Sequence, residues 1–400
     1  MTRLVVHGAR KVDAEGLVDD FWLVADGAHI TATGTGTGWR QAADGADDGA
    51  DGASDYRANA DPVGSHVIDA HGQWLTPGFI DLHCHGGGGH AYDDGTDELR
   101  AALATHRAHG TTRSLVSHVA APLASLRASL SLVAELTATD PLVLGSHLEG
   151  PFLALERRGA HDARFLLEPG PEAVEELIAA ARGTLRTATI APELPNALEA
   201  IGVLTEAGAV VGVGHTAADY AQASRAFAVG ARLLTHAFNA MPGIHHRAPG
   251  PVIAAIENRD VTLELILDGL HVHPSVAALL FREVPGRVAL VTDAMAAAGA
   301  TDGDYRLGGL NVTVHDGLAV LSGTDTIAGS TLTQDAALGN AVTLAGVDPV
   351  AAVTALTRTP ARVLGEEHRL GLLRAGYVAD AVLLDHEWHA HTVVADGSVL

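Results

Sequence analysis

Side chains able to do metal and acid–base chemistry recur in this sequence at the ends of apolar runs. His83 and His85 stand one residue apart in "DLHCHGGGGH", residues 81–90. Helical neighbours are three or four residues apart, so this spacing suits a strand, where both rings point to one side. Two imidazoles on one strand face can close on one metal ion, and the glycines that follow let the chain turn sharply beside it. Cys84, between them, points the other way and reads as a small buried residue. An isolated pair of this kind is common. This one has company: Glu149 in "HLEGPF", His215 in "GHT", His236 in "THAFNAM", Asp268 and His271 in "DGLHV", and Asp293 in "VTDAM". Imidazole and carboxylate suit zinc, and also iron or manganese. A catalytic ion keeps one position open for water and lowers the pKa of that water to about 7. Glu149 can bridge two ions. Asp293 can act as a general base toward the water and return the proton to a leaving amine.

Such residues need a scaffold that brings distant loops together. Apolar, β-branched runs appear at "GFIDLH", "TRSLVSH", "LVLGSHLEG", "RTATIAP", "AVVGVGH", "RLLTHAF", "TLELILDG" and "VALVTDA", with seven helix-like segments between them. Buried strands alternating with helices predict an α/β fold, a parallel (β/α)8 TIM barrel. The metal-ligand candidates then fall at the C-terminal ends of its strands, where barrel enzymes carry their chemistry. Residues 305–323 read as a hairpin on a "DG" turn, and a last helical stretch runs from about 331 to 358. Strand-like segments at both ends of the chain predict a small β-sandwich domain, residues 1–75 with 361–400, flanking a barrel of 76–360. The Gly-, Ala- and Asp-rich stretch 36–62 has little to bury and reads as a mobile acidic insertion.

Composition narrows the function classes. With 47% hydrophobic residues in 400, a large core is available, and the net charge of −23 argues against nucleic acid or an anionic membrane surface as partner. A phosphorylated substrate is not excluded, because one arginine in a pocket can override the global field. The single cysteine rules out an intrachain disulfide and fits a reducing compartment. No signal-peptide core and no apolar run long enough for a membrane span is visible, so a soluble cytoplasmic protein is expected. The only lysine is Lys11, so a mechanism needing a lysine deep in the chain is excluded.

The motifs "LTPGFIDLHCHG", "LEGPF", "GAH", "GHT", "THAFNAM", "HHRAPG", "DGLHVHP", "VTDAM", "IAGS" and "GLLRAGYVADAVLLD", in this order, resemble the amidohydrolase superfamily and within it the N-acetylglucosamine-6-phosphate deacetylases. The resemblance runs through most of the chain. It implies hydrolysis of the acetamide of a phosphorylated amino sugar by metal-activated water, with Asp293 as acid–base. Glu149, His215 and His236 would hold the principal divalent metal, zinc first, with iron or manganese as alternatives. His83 and His85 would hold a second ion bridged by Glu149, giving one or two ions per subunit. Relatives that bridge two metals with a carboxylated lysine, such as dihydroorotase, hydantoinase and urease, fit poorly, since Lys11 lies in the flanking domain. His161, after Ala160 in "GAH", would polarise the acetyl carbonyl or touch the sugar. Asn239 and Ala240 would lie near the phosphate, Arg247 would bind it, and His271 would contact sugar or phosphate. Ile327, Ala328 and Gly329 would close over the ligand by backbone contacts. In this family the phosphate arginine can come from the neighbouring subunit, which implies a homodimer with Arg247 acting across the interface. Two rival readings remain at this level: a deacylase of N-acyl amino acids, and a non-catalytic scaffold on the same barrel. His118 ends a predicted strand with no role assigned.

Overall fold

The computed structural model describes residues 3–44 and 65–400. Eight parallel strands follow one another around the centre in chain order. They are Phe79–Asp81 (β1), Thr111–Val119 (β2), Val143–Glu149 (β3), Leu185–Ile190 (β4), Val210–Val213 (β5), Leu233–Leu234 (β6), Thr262–Leu265 (β7) and Val288–Leu290 (β8). Six lie within the expected runs; β2 extends one residue beyond its run at each end, and β4 begins one residue before its run. Seven helices connect them: Thr96–Ala108 (α1), Leu123–Thr137 (α2), Pro171–Ala181 (α3), Ala197–Glu206 (α4), Tyr220–Ala228 (α5), Gly250–Glu257 (α6) and Pro274–Glu283 (α7). The protein has the (β/α)8 barrel fold. Strand β2 is buried at every position, as a barrel strand covered on both faces must be. Val174 and Leu177 of α3, Ile201 and Leu204 of α4 and Phe227 of α5 pack into the same core as Val211, Leu263 and Leu290 of the strands.

Local sequence explains several helix starts. Asp219 accepts from the Gln222 N–H while the Gln222 side chain accepts from the Asp219 N–H, a reciprocal cap on α5. Helices α3 and α7 begin at Pro171 and Pro274, where the missing N–H costs nothing. His273 accepts from the Ser275 N–H at 3.2 Å and caps α7.

β8 and β1 close the barrel just beyond their ends. The Asp293 N–H donates to His83 O and the His85 N–H to Ala294 O, each at 2.8 Å. The Thr292 hydroxyl donates to the buried Asp81 carboxylate at 2.6 Å. The seam of the barrel therefore runs through the candidate site.

Segments from both ends of the chain form one flanking sheet. Its order is Ser398–Val399, Ala390–Ala395, Ala381–Leu384, Trp74–Pro77, Arg3–Asp13, Gly16–Asp26 and His29–Thr35, with Ser65–Asp69 alongside Arg3–Asp13. Arg113 of β2, fully buried, ties this sheet to the barrel. Its guanidinium donates to both Asp380 oxygens at 2.6 and 3.0 Å and to Asp396 at 2.6 Å, a bidentate charge-assisted pair that fixes orientation. Lys11 lies in this sheet, paired with Asp13 at 3.0 Å.

One expectation needs correction and two are extended. The insertion expected from residue 36 does not begin as an irregular loop: Gly36–Gly38 forms a 3-10 turn and Trp39–Asp44 a helix. The cause is Trp39, buried with Val5, Trp22 and Val24 and stacked on His7 at 4.3 Å between ring centroids. Residues 45–62 of that stretch lie outside the described residues. The hairpin on Asp316–Gly317 carries a third strand, Gly303–Leu307. That strand is mostly exposed and so lacks the apolar alternation that reveals a strand in sequence. The last helical stretch is three helices, Gln334–Thr343, Pro349–Leu356 and Arg358–Val363, divided where Asp348 caps the second. Among the described residues no helix is long and apolar enough to cross a membrane.

Asp335 joins three parts of this architecture. Its carboxylate accepts from His109 behind α1, from the Thr333 hydroxyl and from the Ala390 N–H of the flanking sheet. Burial opposes its ionisation, but the His109 and Thr333 hydrogen bonds outweigh it and lower its pKa. A lowered carboxylate pKa contributes stability that is present above the unfolded value, about 3.9, and is lost as pH falls through the native value. Asp335→Asn is therefore expected to cost about 2 kcal/mol in urea unfolding at pH 7, with the gap to wild type narrowing below about pH 4. A gap that stays constant across that range would contradict the assignment.

Candidate metal centre

The ends of β1, β3, β5, β6 and β8 deliver six ionisable side chains to one point. Glu149 is the last residue of β3; His215, His236 and Asp293 lie just past β5, β6 and β8; His83 and His85 follow β1. All are buried. Glu149 is the hub. Its Oε1 lies 3.0 Å from His215 Nε2, 3.0 Å from His236 Nε2 and 3.2 Å from His83 Nε2; its Oε2 lies 3.0 Å from His85 Nε2. The Asp293 Oδ1 is 3.4 Å from His83 Nε2 and 3.3 Å from His85 Nε2. Two ligand groups result, His83–His85–Glu149–Asp293 and Glu149–His215–His236, sharing the one carboxylate.

The backbone that presents them is unusual. His215, His236 and Asp293 have φ of 46°, 26° and 47°, and Phe238 and Ala240 beside the site have 78° and 50°. Non-glycine residues rarely adopt this left-handed region, at a cost of about 1–3 kcal/mol each. Each lies at a strand end held by the barrel on either side, so the fold imposes the conformation that turns the ring or carboxylate inward.

Hydrogen bonds on the far side of the rings decide which nitrogen faces the centre. His215 Nδ1 is 2.9 Å from the carbonyl of Arg157, which can only accept. That nitrogen carries the proton and Nε2 offers a lone pair. His83 Nδ1 donates likewise to the buried Glu264 at 3.4 Å. Such outer partners orient metal-binding imidazoles. His161 is the reverse. The Ala120 N–H donates to its Nδ1 at 3.1 Å, so a neutral ring carries its proton on Nε2, the atom facing Glu149 at 3.4 Å. His161 is a donor into the site where the others are acceptors. The Nδ1 atoms of His85 and His236 are buried without a partner among the described residues.

Electrostatics supply a test of whether these residues suit a cation. Glu149 is held well below the usual carboxylate range: burial opposes this, but the charge of His83 and the contacts with His161, His215 and His236 outweigh it. Asp293 is held at about 2 against burial, chiefly by His83 and His85. His83 is pushed well above its ordinary value, with burial opposing and Glu149 and Asp293 prevailing, and His85 rises to about 10. His215 falls to about 4, because burial wins. Two buried carboxylates thus demand positive charge here, and the Nε2 atoms of His215 and His236, 3.0 Å apart, are held that close only with a proton or cation between them. The donor set fits a divalent cation with nitrogen and oxygen ligands.

A cavity of about 440 Å³ opens over the centre, and its wall includes His85, His161, Asn239, Ala240, His271 and Asp293. Ala160, Ile327 and Gly329 also line it, whereas Ala328 is buried against Met295 and the hairpin core. Arg247 does not line it: the side chain is exposed and lies 2.7 Å from His246. Asp268 is no wall residue either. It accepts from His271 Nδ1 at 2.6 Å and orients that ring. His118 is buried and pairs with Asp93 at 3.1 Å, away from the cavity. Sequence reasoning missed Glu264, which holds His83, and His147, whose ring packs edge-on to His83 at 4.4 Å between centroids. It also missed Glu156, Arg157 and Arg158 on the cavity wall. The doublet "RR" directly before "GAH" was the available signal for the last two.

Because His83 and His85 are pushed up, a cation binding at neutral pH must displace protons. Metal uptake is expected to release about one proton or more per subunit at pH 7 and to weaken as pH falls, read by calorimetry in buffers of different ionisation heat. Glu149→Gln should empty both ligand groups, and His85→Asn only the one it belongs to, by metal analysis. Full metal content in Glu149→Gln would refute the hub.

Residues 74–399 match the Amidohydrolase family. An N-acetylgalactosamine-6-phosphate deacetylase of Escherichia coli O157:H7 is 38% identical, over 86% of this chain and 92% of its own. An N-acetylglucosamine-6-phosphate deacetylase of Vibrio furnissii is 35% identical, over 84% of this chain and 83% of its own. The crystal structure of N-acetyl-D-glucosamine-6-phosphate deacetylase from Mycobacterium smegmatis superposes with a TM-score of 0.88 at 36% identity, covering 100% of both chains. By this likeness in both sequence and fold, the chain belongs to the amidohydrolase family.

Proposed function

We propose that the protein hydrolyses the acetamide of N-acetyl-D-glucosamine 6-phosphate, giving D-glucosamine 6-phosphate and acetate. The observation that carries this reading is the convergence of Glu149, His83, His85, His215 and His236 with Asp293 under one cavity, in a chain matching sugar-phosphate deacetylases over more than four fifths of its length.

Glu149, His215 and His236 would hold one divalent cation and His83, His85 and Asp293, with Glu149, a second; zinc suits the ligands best. Bound there, such a cation supplies Lewis-acid polarisation of a carbonyl and lowers the pKa of water. The protein's own groups do the rest. Asp293 is ionised at neutral pH and faces the cavity, so it can take a proton from the attacking water and return it to the departing amine. His161, with its Nε2–H directed inward, donates to the acetyl oxygen as negative charge develops there. Asn239, Ala240, His271, Ile327 and Gly329 form walls for the sugar. Arg157 and Arg158 add positive charge at the mouth. Arg247 lies off its own chain's cavity, so its part in phosphate binding requires a second subunit, and a homodimer is proposed on that ground.

The relative from Escherichia coli O157:H7 is a deacetylase of the galactosamine epimer, which favours testing both sugars. Acetate release should be measured on the two N-acetylhexosamine 6-phosphates and on unphosphorylated N-acetylglucosamine. Turnover is expected with a phosphate present and is expected to fall at least about tenfold without it. Asp293→Asn should lose about a thousandfold in kcat with folding unchanged. Mixing Asp293→Asn chains with Arg247→Ala chains should recover activity above either alone. Equal turnover in Asp293→Asn and wild type would overturn the acid–base assignment, and no recovery on mixing would overturn the shared phosphate site.

A further inference from the structure

The opposite end of the barrel holds a second cavity, of about 490 Å³. It is built at strand starts: Val210 and Thr262 open β5 and β7, while Arg232 and Arg287 immediately precede β6 and β8. Arg259 and Arg362 bring the guanidinium groups on its wall to four. Among the described residues none of the four pairs with a carboxylate, and Asp260, on the same wall, forms no ion pair. The chain has 48 acidic residues against 25 lysines and arginines. Four unpaired arginines in one cleft run against that balance.

Capping explains part of the cluster. The barrel helices end at this face, and their last carbonyls carry partial negative charge. Arg287 donates to Ala255, Ile256, Asn258 and Val261 at the end of α6. Arg232 donates to Phe227 at the end of α5, and Arg362 to Gly286. These bonds anchor three side chains in fixed positions. They do not account for Arg259, which makes no hydrogen bond among the described residues. Nor do they cancel like charge: burial, then Arg259 and Arg362, hold Arg287 below its ordinary pKa. Mutual repulsion of this kind is relieved by an anion placed between the groups.

We propose that this cleft binds a small anionic molecule carrying more than one phosphoryl group, at a site separate from the metal centre. Guanidinium forks match phosphate oxygens in bidentate geometry. The cavity falls in the size range of small-molecule sites, about 300–1,000 Å³, and is larger than one inorganic phosphate fills. Because the rest of the surface is strongly acidic, the local positive field also selects where such a ligand lands.

Pyrophosphate titrated into the metal-loaded protein by calorimetry at low salt tests the site, with inorganic phosphate as the smaller probe. Pyrophosphate is expected to bind more tightly than phosphate and to weaken with added salt. Arg259→Ala with Arg362→Ala should weaken binding about tenfold or more; Arg287, the four-carbonyl cap, is left in place to preserve folding. The single charge reversal Arg259→Glu should weaken it too, since that side chain supports no hydrogen bond whose loss could unfold the protein. Acetate release should be unchanged in both variants, and Arg247→Ala should bind pyrophosphate as wild type does. ADP and a hexose bisphosphate titrated in parallel distinguish a nucleotide from a sugar as the source of the phosphates, by which binds more tightly. No binding to wild type, unchanged affinity in both arginine variants, or loss of binding in Arg247→Ala would each overturn the proposal.

Discussion

One buried carboxylate with imidazole nitrogens on several sides is the constraint around which the rest of this protein is arranged. Glu149 touches the Nε2 atoms of His83, His85, His215 and His236 within 3.2 Å. Removing such a group from water is costly, and the rings repel one another unless positive charge lies among them. Two of the four rings are oriented from outside the cluster. The Arg157 carbonyl and Glu264 do this for His215 and His83. His161 takes the opposite polarity because a backbone N–H holds its inner nitrogen as an acceptor. A single hydrogen bond thus separates a ring that donates into the cavity from one that offers it a lone pair.

The site is also where the barrel shuts. The Asp293 N–H reaches His83 O, and the His85 N–H reaches Ala294 O. The acid–base candidate and the two-histidine motif are therefore neighbours across the seam between first and last strands. Their separation does not depend on flexible loops. The left-handed backbone at His215, His236 and Asp293 belongs to the same arrangement. Strained conformations persist where surrounding structure over-determines them, and parallel strands on both sides supply that.

Charge is distributed with similar economy. The molecule is strongly acidic overall, yet the openings at the two ends of its barrel are edged by arginine: Arg157 and Arg158 above the metal centre, and four arginines at the opposite end. Fields inside clefts with low-dielectric walls are set by nearby groups more than by the total. A negative net charge is therefore compatible with anionic ligands at both ends of one barrel.

The amino-acid sequence determined the alternation of eight buried strands and seven helices, because burial on both faces leaves short apolar runs that recur between helix-like segments. It also marked His83, His85, Glu149, His215, His236 and Asp293, because those residue types fall at the ends of such runs and barrels do their chemistry there. Trp39 went unread because a single aromatic in a glycine-rich stretch shows nothing until its partner, His7, is in place. The strand Gly303–Leu307 went unread because its exposed residues carry no period. Tertiary structure alone decided which ring nitrogen faces inward, that Glu264 and His147 back His83, that Arg247 stays off its own cavity, and that Arg232, Arg259, Arg287 and Arg362 meet. Those facts depend on contacts between residues far apart in the chain, and spacing along one strand or helix carries no information about what closes over its far side.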